Sequence, residues 1–144
     1  MKKIIIIVTA MLLIFSCKQP EEKAKMKYQE ELQQVLDKHD TIMTNMSKIN
    51  HLIKTLESQN VPVEDNIEAQ KTIDKLKAIH KSMFDWMHDF DKEFPDIHEK
   101  DKSLSQDEFK EQTEALKAQD KKLTKMKEDF EETIRKAEAL TTEN

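Results

Sequence analysis

The sequence predicts an all-α chain: an antiparallel up-down-up three-helix bundle, a coiled-coil-like rod, behind a cleaved signal peptide. Three observations predict it. Apolar residues recur at alternating spacings of four and three through three separate segments, the seam pattern of a supercoiled helix. The 144 residues contain no glycine and only three prolines. That removes tight Gly hairpins and the Gly-built phosphate, dinucleotide and nucleophile-elbow loops. Charged residues make up 37% and aromatics 6%, so each helix has one narrow apolar stripe to bury. The length allows one domain.

Residues 1–16 read as a signal peptide and are set aside from the fold. Lys2 and Lys3 form its positive start, and Ile4 to Phe15 is an apolar run interrupted only by Thr9. Spanning a hydrocarbon core takes about 20 residues, so this run is too short for a transmembrane helix. It ends at Ile14-Phe15-Ser16-Cys17, and Cys17 is the only cysteine, which excludes an internal disulfide. The arrangement resembles a bacterial lipoprotein signal, with Ile14 and Phe15 departing from the commonest residues there. The resemblance implies that Cys17 is diacylated and becomes the first residue of the mature chain. Anchoring by acyl chains gains ~0.8 kcal/mol per buried CH₂.

Residues 17–25 read as the lipidated cysteine and a polar tether. Glu21-Glu22 resembles the export signal that carries some Bacteroidota lipoproteins to the cell surface. The expected address is therefore the cell envelope, lipid-anchored at the outer membrane, on its periplasmic or surface face. Loss of residues 1–16 leaves 22 Lys and Arg against 29 Asp and Glu, a net charge of −7, with Arg135 the single arginine. Nucleic-acid binding is excluded, because phosphate neutralisation needs clustered Lys and Arg.

The bundle is expected over 26–141, with helices at about 26–59, 65–94 and 105–140. The first stripe is Tyr28, Leu32, Val35, His39, Ile42, Met46, Ile49, Ile53 and Leu56, widened by Leu36 and Met43. Pro62 lies in the polar connection that follows, and Glu64, Asp65 and Glu68 favour the start of the second helix. Its stripe is Ala69, Ile73, Leu76, His80, Met83, Met87, Phe90 and Phe94, with Ile79, Phe84 and Trp86 beside it. Pro95 is expected to stop that helix.

Ser105-Gln106-Asp107-Glu108 has the form of a capping box and opens the third helix. One row of its seam is Phe109, Leu116, Leu123, Phe130 and Ala137; the other is Gln112, Gln119, Met126, Thr133 and Leu140. Three of the five residues of the second row are polar, so this helix is expected to pack most weakly, its N-terminal half fraying or binding something else. Heptad seams allow a homo-oligomer through this helix as readily as a monomer.

Two seam positions are histidine. Folding the first two helices about Pro62 makes facing residue numbers sum to about 126. Met46 then faces His80, His39 faces Met87, and Met43 faces Met83. These six side chains, beside Trp86, form a candidate metal site. Thioether sulfur selects Cu(I), imidazole suits copper, and residues four apart share a helical face. A core reading stands beside it. Methionine fills irregular gaps between helices, and a buried histidine then needs a partner, for which Asp40, Asp85, Gln112 and Gln119 are candidates. His88 and His98 lie among acidic residues and His51 elsewhere; all three read as surface positions. No zinc-helix motif, free cysteine nucleophile or Gly-built oxyanion loop is present, so no enzyme is expected.

His39-Asp40-x-x-Met43-x-x-Met46 and His80-Lys81-x-Met83-x-x-Trp86-Met87 resemble a set of short Bacteroidota lipoproteins that carry the label "viral A-type inclusion protein". The resemblance is strongest over 28–94. It implies a small, helical, lipid-anchored envelope protein without an established activity. Three functions follow as expectations: a structural or interaction module meeting an envelope protein partner, Cu(I) binding through the His/Met cluster, and a chaperone-like or stress-sensing helical hairpin.

Overall fold

The computed structural model describes residues 18–58, 67–97 and 104–142. Signal residues 1–16, Cys17, Pro62, Glu64, Asp65 and His98 lie outside them. Among the described residues every regular element is helical: α1 (Lys18–Thr44), α2 (Met46–Ser58), α3 (Ile67–Glu93) and α4 (Gln106–Thr142). None of these helices is long and apolar enough to cross a membrane. No described residue has a positive φ, as a chain without glycine prefers.

α1 begins at Lys18, so the stretch expected as a tether up to residue 25 is helical. Lys18, Glu21, Glu22, Lys23, Ala24 and Lys25 are good helix formers. Pro20 falls in the first turn, where its missing N–H costs nothing. α1 and α2 together occupy the segment expected as one helix, and Asn45 alone interrupts it. The Asn45 amide bonds the Ile42 carbonyl at 2.9 Å, a tighter turn than α. Around it the side chains of Thr41, Thr44 and Asn45 donate to the carbonyls of Asp37, Asp40 and Thr41. Such bonds compete with the helical ladder and bend it. The apolar seam continues across the break, since Ile42, Met46 and Ile49 are all buried.

α3 ends at Glu93, two residues before Pro95. α4 starts on the expected box. Ser105 donates its backbone N–H and its hydroxyl to the Glu108 carboxylate at 2.8 and 2.7 Å, and Ser105 Oγ accepts from the Glu108 N–H at 3.4 Å.

The core is one cluster drawn from all four helices, including Val35, Ile49, Leu76, Met83, Leu123 and Phe130. The expected stripes supply most of it. Leu36 and Phe84, expected to widen two of those stripes, are instead exposed at 37% and 49%.

The weak packing expected of the last helix is corrected. α4 lies along α1, α2 and α3, most extensively along α1. Its buried polar residues are satisfied, Gln119 across to α3 and the threonines within the helix. Thr113 and Thr133 are buried and donate to the Phe109 and Asp129 carbonyls at 2.6 and 2.7 Å. A threonine that returns its proton to the preceding turn presents its methyl group to the neighbours, so a polar letter in the seam can still pack.

Side-chain links set the registers. Tyr28 meets Phe109 at a centroid separation of 5.7 Å, Lys38 pairs with Asp120 and donates to Thr124 at 2.7 Å, and Lys48 pairs with Glu138 at 2.6 Å. Residue numbers therefore rise together along α1–α2 and α4. Between α3 and α4 they run oppositely: Glu68 pairs with Lys136 at 2.7 Å, Lys75 with Glu132 at 3.8 Å, and Trp86 bonds Gln119 at 2.9 Å. Glu57 of α2 pairs with Lys77 of α3 at 2.8 Å.

Candidate functional site

α2 approaches both α3 and α4 closely, but no Cα of α1 comes within 8 Å of a Cα of α3. Large side chains bridge that gap. Trp86 and Phe90 of α3 and Phe94 just past its end stand four residues apart, with successive ring centroids 4.8 Å apart. From α1, the His39 ring stacks on Trp86 at 5.6 Å with planes 27° apart. The separation leaves a cavity of about 150 Å³. Leu32, Leu36 and His39 line it from α1, and Trp86, Met87, Phe90 and Asp91 from α3, with Ile97 of the following turn at its end. A second cavity, of about 230 Å³, adjoins it through Leu32 and Ile97 and reaches Tyr28, Phe109 and Gln112.

The polar groups of the smaller cavity are fixed by their neighbours. His39 Nδ1 lies 3.0 Å from an Asp40 carboxylate oxygen. Donation to that acceptor places a proton on Nδ1. Nε2 is buried and has no hydrogen-bond partner. Trp86 Nε1–H is already used, because it donates to buried Gln119 Oε1 at 2.9 Å. Gln119 in turn donates its Nε2 to Glu93. What the cavity presents is thus a mostly apolar wall with Asp91 as its charged residue, while His39 Nε2 is itself buried.

The six candidate ligands have different surroundings. His39 and Met87 line the same cavity. Met46 and Met83 are buried in the core, 7% and 0% exposed, and Met43 packs against it partly buried. The His80 ring meets Phe84 of its own helix at 5.1 Å, so the two imidazoles have different aromatic neighbours. Of the candidate partners for a seam histidine, Asp40 bonds His39, while Gln119 serves Trp86. His51 and His88 are exposed. Among the described residues no three His, Cys, Asp or Glu side chains gather into a group that could hold a metal.

Asp91, Leu36, Phe90 and Ile97 belong to the site without having been singled out for it. The i, i+4 ladder Trp86-Phe90-Phe94 was the available signal: three wide rings on one face demand more room than a close helix pair offers. No family model, curated protein or solved structure matches the chain.

Proposed function

We propose that the protein is a lipid-anchored envelope module with a structural or protein-interaction role, an up-down-up, coiled-coil-like bundle held to the outer membrane through Cys17. The observation that carries this reading is where the inner polar groups are spent. Gln119 ties Trp86 to Glu93, and Lys38 ties α1 to both Asp120 and Thr124. The buried threonines close on their own helices. Gln119 and Lys38 hold helices together, which is what a scaffold of defined shape requires. The charged outer faces are then the surfaces open to an envelope partner.

Two experiments test it. Cys17→Ser is expected to move the protein from the membrane fraction to the soluble one; retention in the membrane overturns the anchor. Cross-linking in intact envelopes, followed by pull-down, is expected to recover one specific partner, and recovery of none counts against the interaction role.

A second reading is Cu(I) binding, supported by His39 Nε2 being buried without a hydrogen-bond partner and by His39 and Met87 lining one cavity. A carboxylate on the far ring nitrogen is the usual support of a metal-bound imidazole, and Asp40 occupies that place. Met43, Met46, His80 and Met83 would have to complete the set. Competition against a chromogenic Cu(I) chelator decides it: a His39→Ala/His80→Ala variant that competes as well as the unaltered protein removes the copper role.

A further inference from the structure

We infer that the two adjoining cavities form one channel along α1 that binds a free long-chain carboxylate, a single unbranched chain of about 16 carbons with its head at Lys25. This goes beyond the scaffold role and does not depend on it.

Length sets the first constraint. The cavities meet at Leu32 and Ile97, which line both. Along α1 their linings run from Lys25 to His39, about 21 Å at a helical rise of ~1.5 Å per residue. Carbon–carbon bonds of about 1.5 Å in an extended zigzag advance roughly 1.25 Å each, so about 17 carbons fill that length.

Volume sets the second. A protein cavity of about 150 Å³ takes the six carbons of benzene. The volumes here are about 150 and 230 Å³, which together take about 15 carbons on that scale. Volume over length gives a mean cross-section of roughly 18 Å². That is the section of one alkyl chain, and a helix about 10 Å across is far too wide. The walls suit such a chain. Leu32, Phe90, Phe94 and Ile97 form much of them, and Leu36 lies at the solvent edge, 37% exposed. A bound chain takes this apolar surface out of water.

Charge gives the channel a direction. Among the described lining residues Lys25 is the only lysine or arginine. Gln29 and Gln112 add amide donors to the same cavity, and Asp96 there is already engaged. The other end carries Asp91, which is exposed. A carboxylate head is therefore drawn to Lys25, and the terminal methyl runs toward Trp86.

Trp86 is the only tryptophan of the chain and lines the Asp91 end. Bromine quenches indole emission on contact, so brominated acids report which end of the chain lies there. The probes are 16-bromohexadecanoate and 2-bromohexadecanoate, below micelle-forming concentrations. They are added to the full chain carrying Cys17→Ser, so that no acyl group of its own competes. Saturable quenching is expected from the 16-bromo acid, while the 2-bromo acid competes with it silently. Across saturated acids of increasing length, affinity should rise by up to roughly fourfold per methylene and level off near about 16 carbons.

Lys25→Gln, an exposed change that leaves the core intact, should erase the preference for dodecanoate over dodecanol. Leu32→Phe, which narrows the junction of the two cavities, should abolish quenching by the 16-bromo acid. Absence of saturable quenching overturns the inference. So does stronger quenching by the 2-bromo acid, affinity that keeps rising well past the expected length, or an acid preference that survives Lys25→Gln. Vesicles of brominated phosphatidylcholine that quench as strongly as the free acid also overturn it, by making the bilayer the source of the chain. An unaltered, acylated protein that takes up no acid does the same, by making the Cys17 lipid the occupant.

Discussion

The two ends of the bundle solve the same packing problem differently. Where α2, α3 and α4 meet, the buried residues are mostly aliphatic or small: Ile49, Leu52, Leu56, Ala69, Ile73, Leu76, Ile134 and Ala137. The backbones approach closely there, α2 reaching both neighbours. Where α1 faces α3, the interior is Trp86, Phe90 and Phe94 against His39 and Leu32, and the two backbones stay more than 8 Å apart. Small side chains let helices draw together, whereas wide rings hold them apart at distances set by the side chains at the contact. The heptad alternation runs through both ends without a slip. Periodicity therefore specifies which faces turn inward, and side-chain size specifies whether they close.

The largest expected effect is a core truncation at the closed end. Leu76→Ala removes a fully buried side chain from a region with little room to relax, and should cost about 2–5 kcal/mol in urea unfolding. Leu32→Ala, beside an existing cavity at the open end, should cost about half as much or less. Equal losses would mean that the two ends are packed alike, and the contrast would fall.

Next is the buried polar bridge. Gln119→Leu leaves the Trp86 indole N–H without an acceptor, an expected loss of about 1–3 kcal/mol. Trp86→Phe in the same chain removes the stranded donor, so the double variant should recover part of that loss. A double variant worse than the sum of the singles would show that the bond to Trp86 is not what Gln119 contributes.

The architecture was largely legible in the sequence because it rests on period alone. Stripe members from Val35 through Leu56, from Ala69 through Phe94 and from Phe109 through Ala137 supply the core. The capping box is equally local, needing only a serine and a glutamate three apart. What could not be read was how polar letters in a seam would be satisfied. Gln119 looked like a weakness in the last helix, yet it is the bridge between Trp86 and Glu93. Its partners lie 33 and 26 residues away in sequence, and no local rule brings them together. The candidate site was half legible for the same reason. Folding about Pro62 brought His39 opposite Met87, and both do line one cavity. It could not foresee that the His39 ring would rest on Trp86, or that the His80 ring would rest on Phe84. Those choices depend on side-chain rotation and on the spacing of the backbones.

His39 sharpens the comparison at the level of one atom. Its Nε2 is buried without a hydrogen-bond partner, so the open end retains a group that costs stability. His39→Leu gives up the bond to Asp40 but removes that unsatisfied nitrogen and keeps an apolar body against Trp86. The variant is expected to be as stable as the parent or up to about 1 kcal/mol more so. A clear loss in urea unfolding would mean that the nitrogen is satisfied in solution, and the open end would no longer carry that cost.

The smallest effects belong to the surface charges, and they too separate the ends. At the closed end the Glu68 carboxyl is held below its ordinary value of 4.5, first by the hydrogen bond from Lys136 and then by that ammonium's charge. At the open end Glu114 is lowered in the same way by Lys117, which is raised in turn. A carboxylate whose value is depressed in the folded state stabilises above its unfolded value, and that contribution disappears as pH falls through the folded value. The first pair joins α3 to α4; the second lies within α4, three residues apart. A Glu68→Gln/Lys136→Met cycle should therefore show a small coupling in global unfolding at neutral pH. The coupling should vanish well below pH 4.5, and molar salt should weaken it. Glu114→Gln/Lys117→Met should show less, since a pair within one helix forms wherever that helix forms. Both pairs are exposed, which keeps both effects small. Coupling of Glu68 with Lys136 that persists in acid would mean that the two side chains meet through their aliphatic stems instead of their charges.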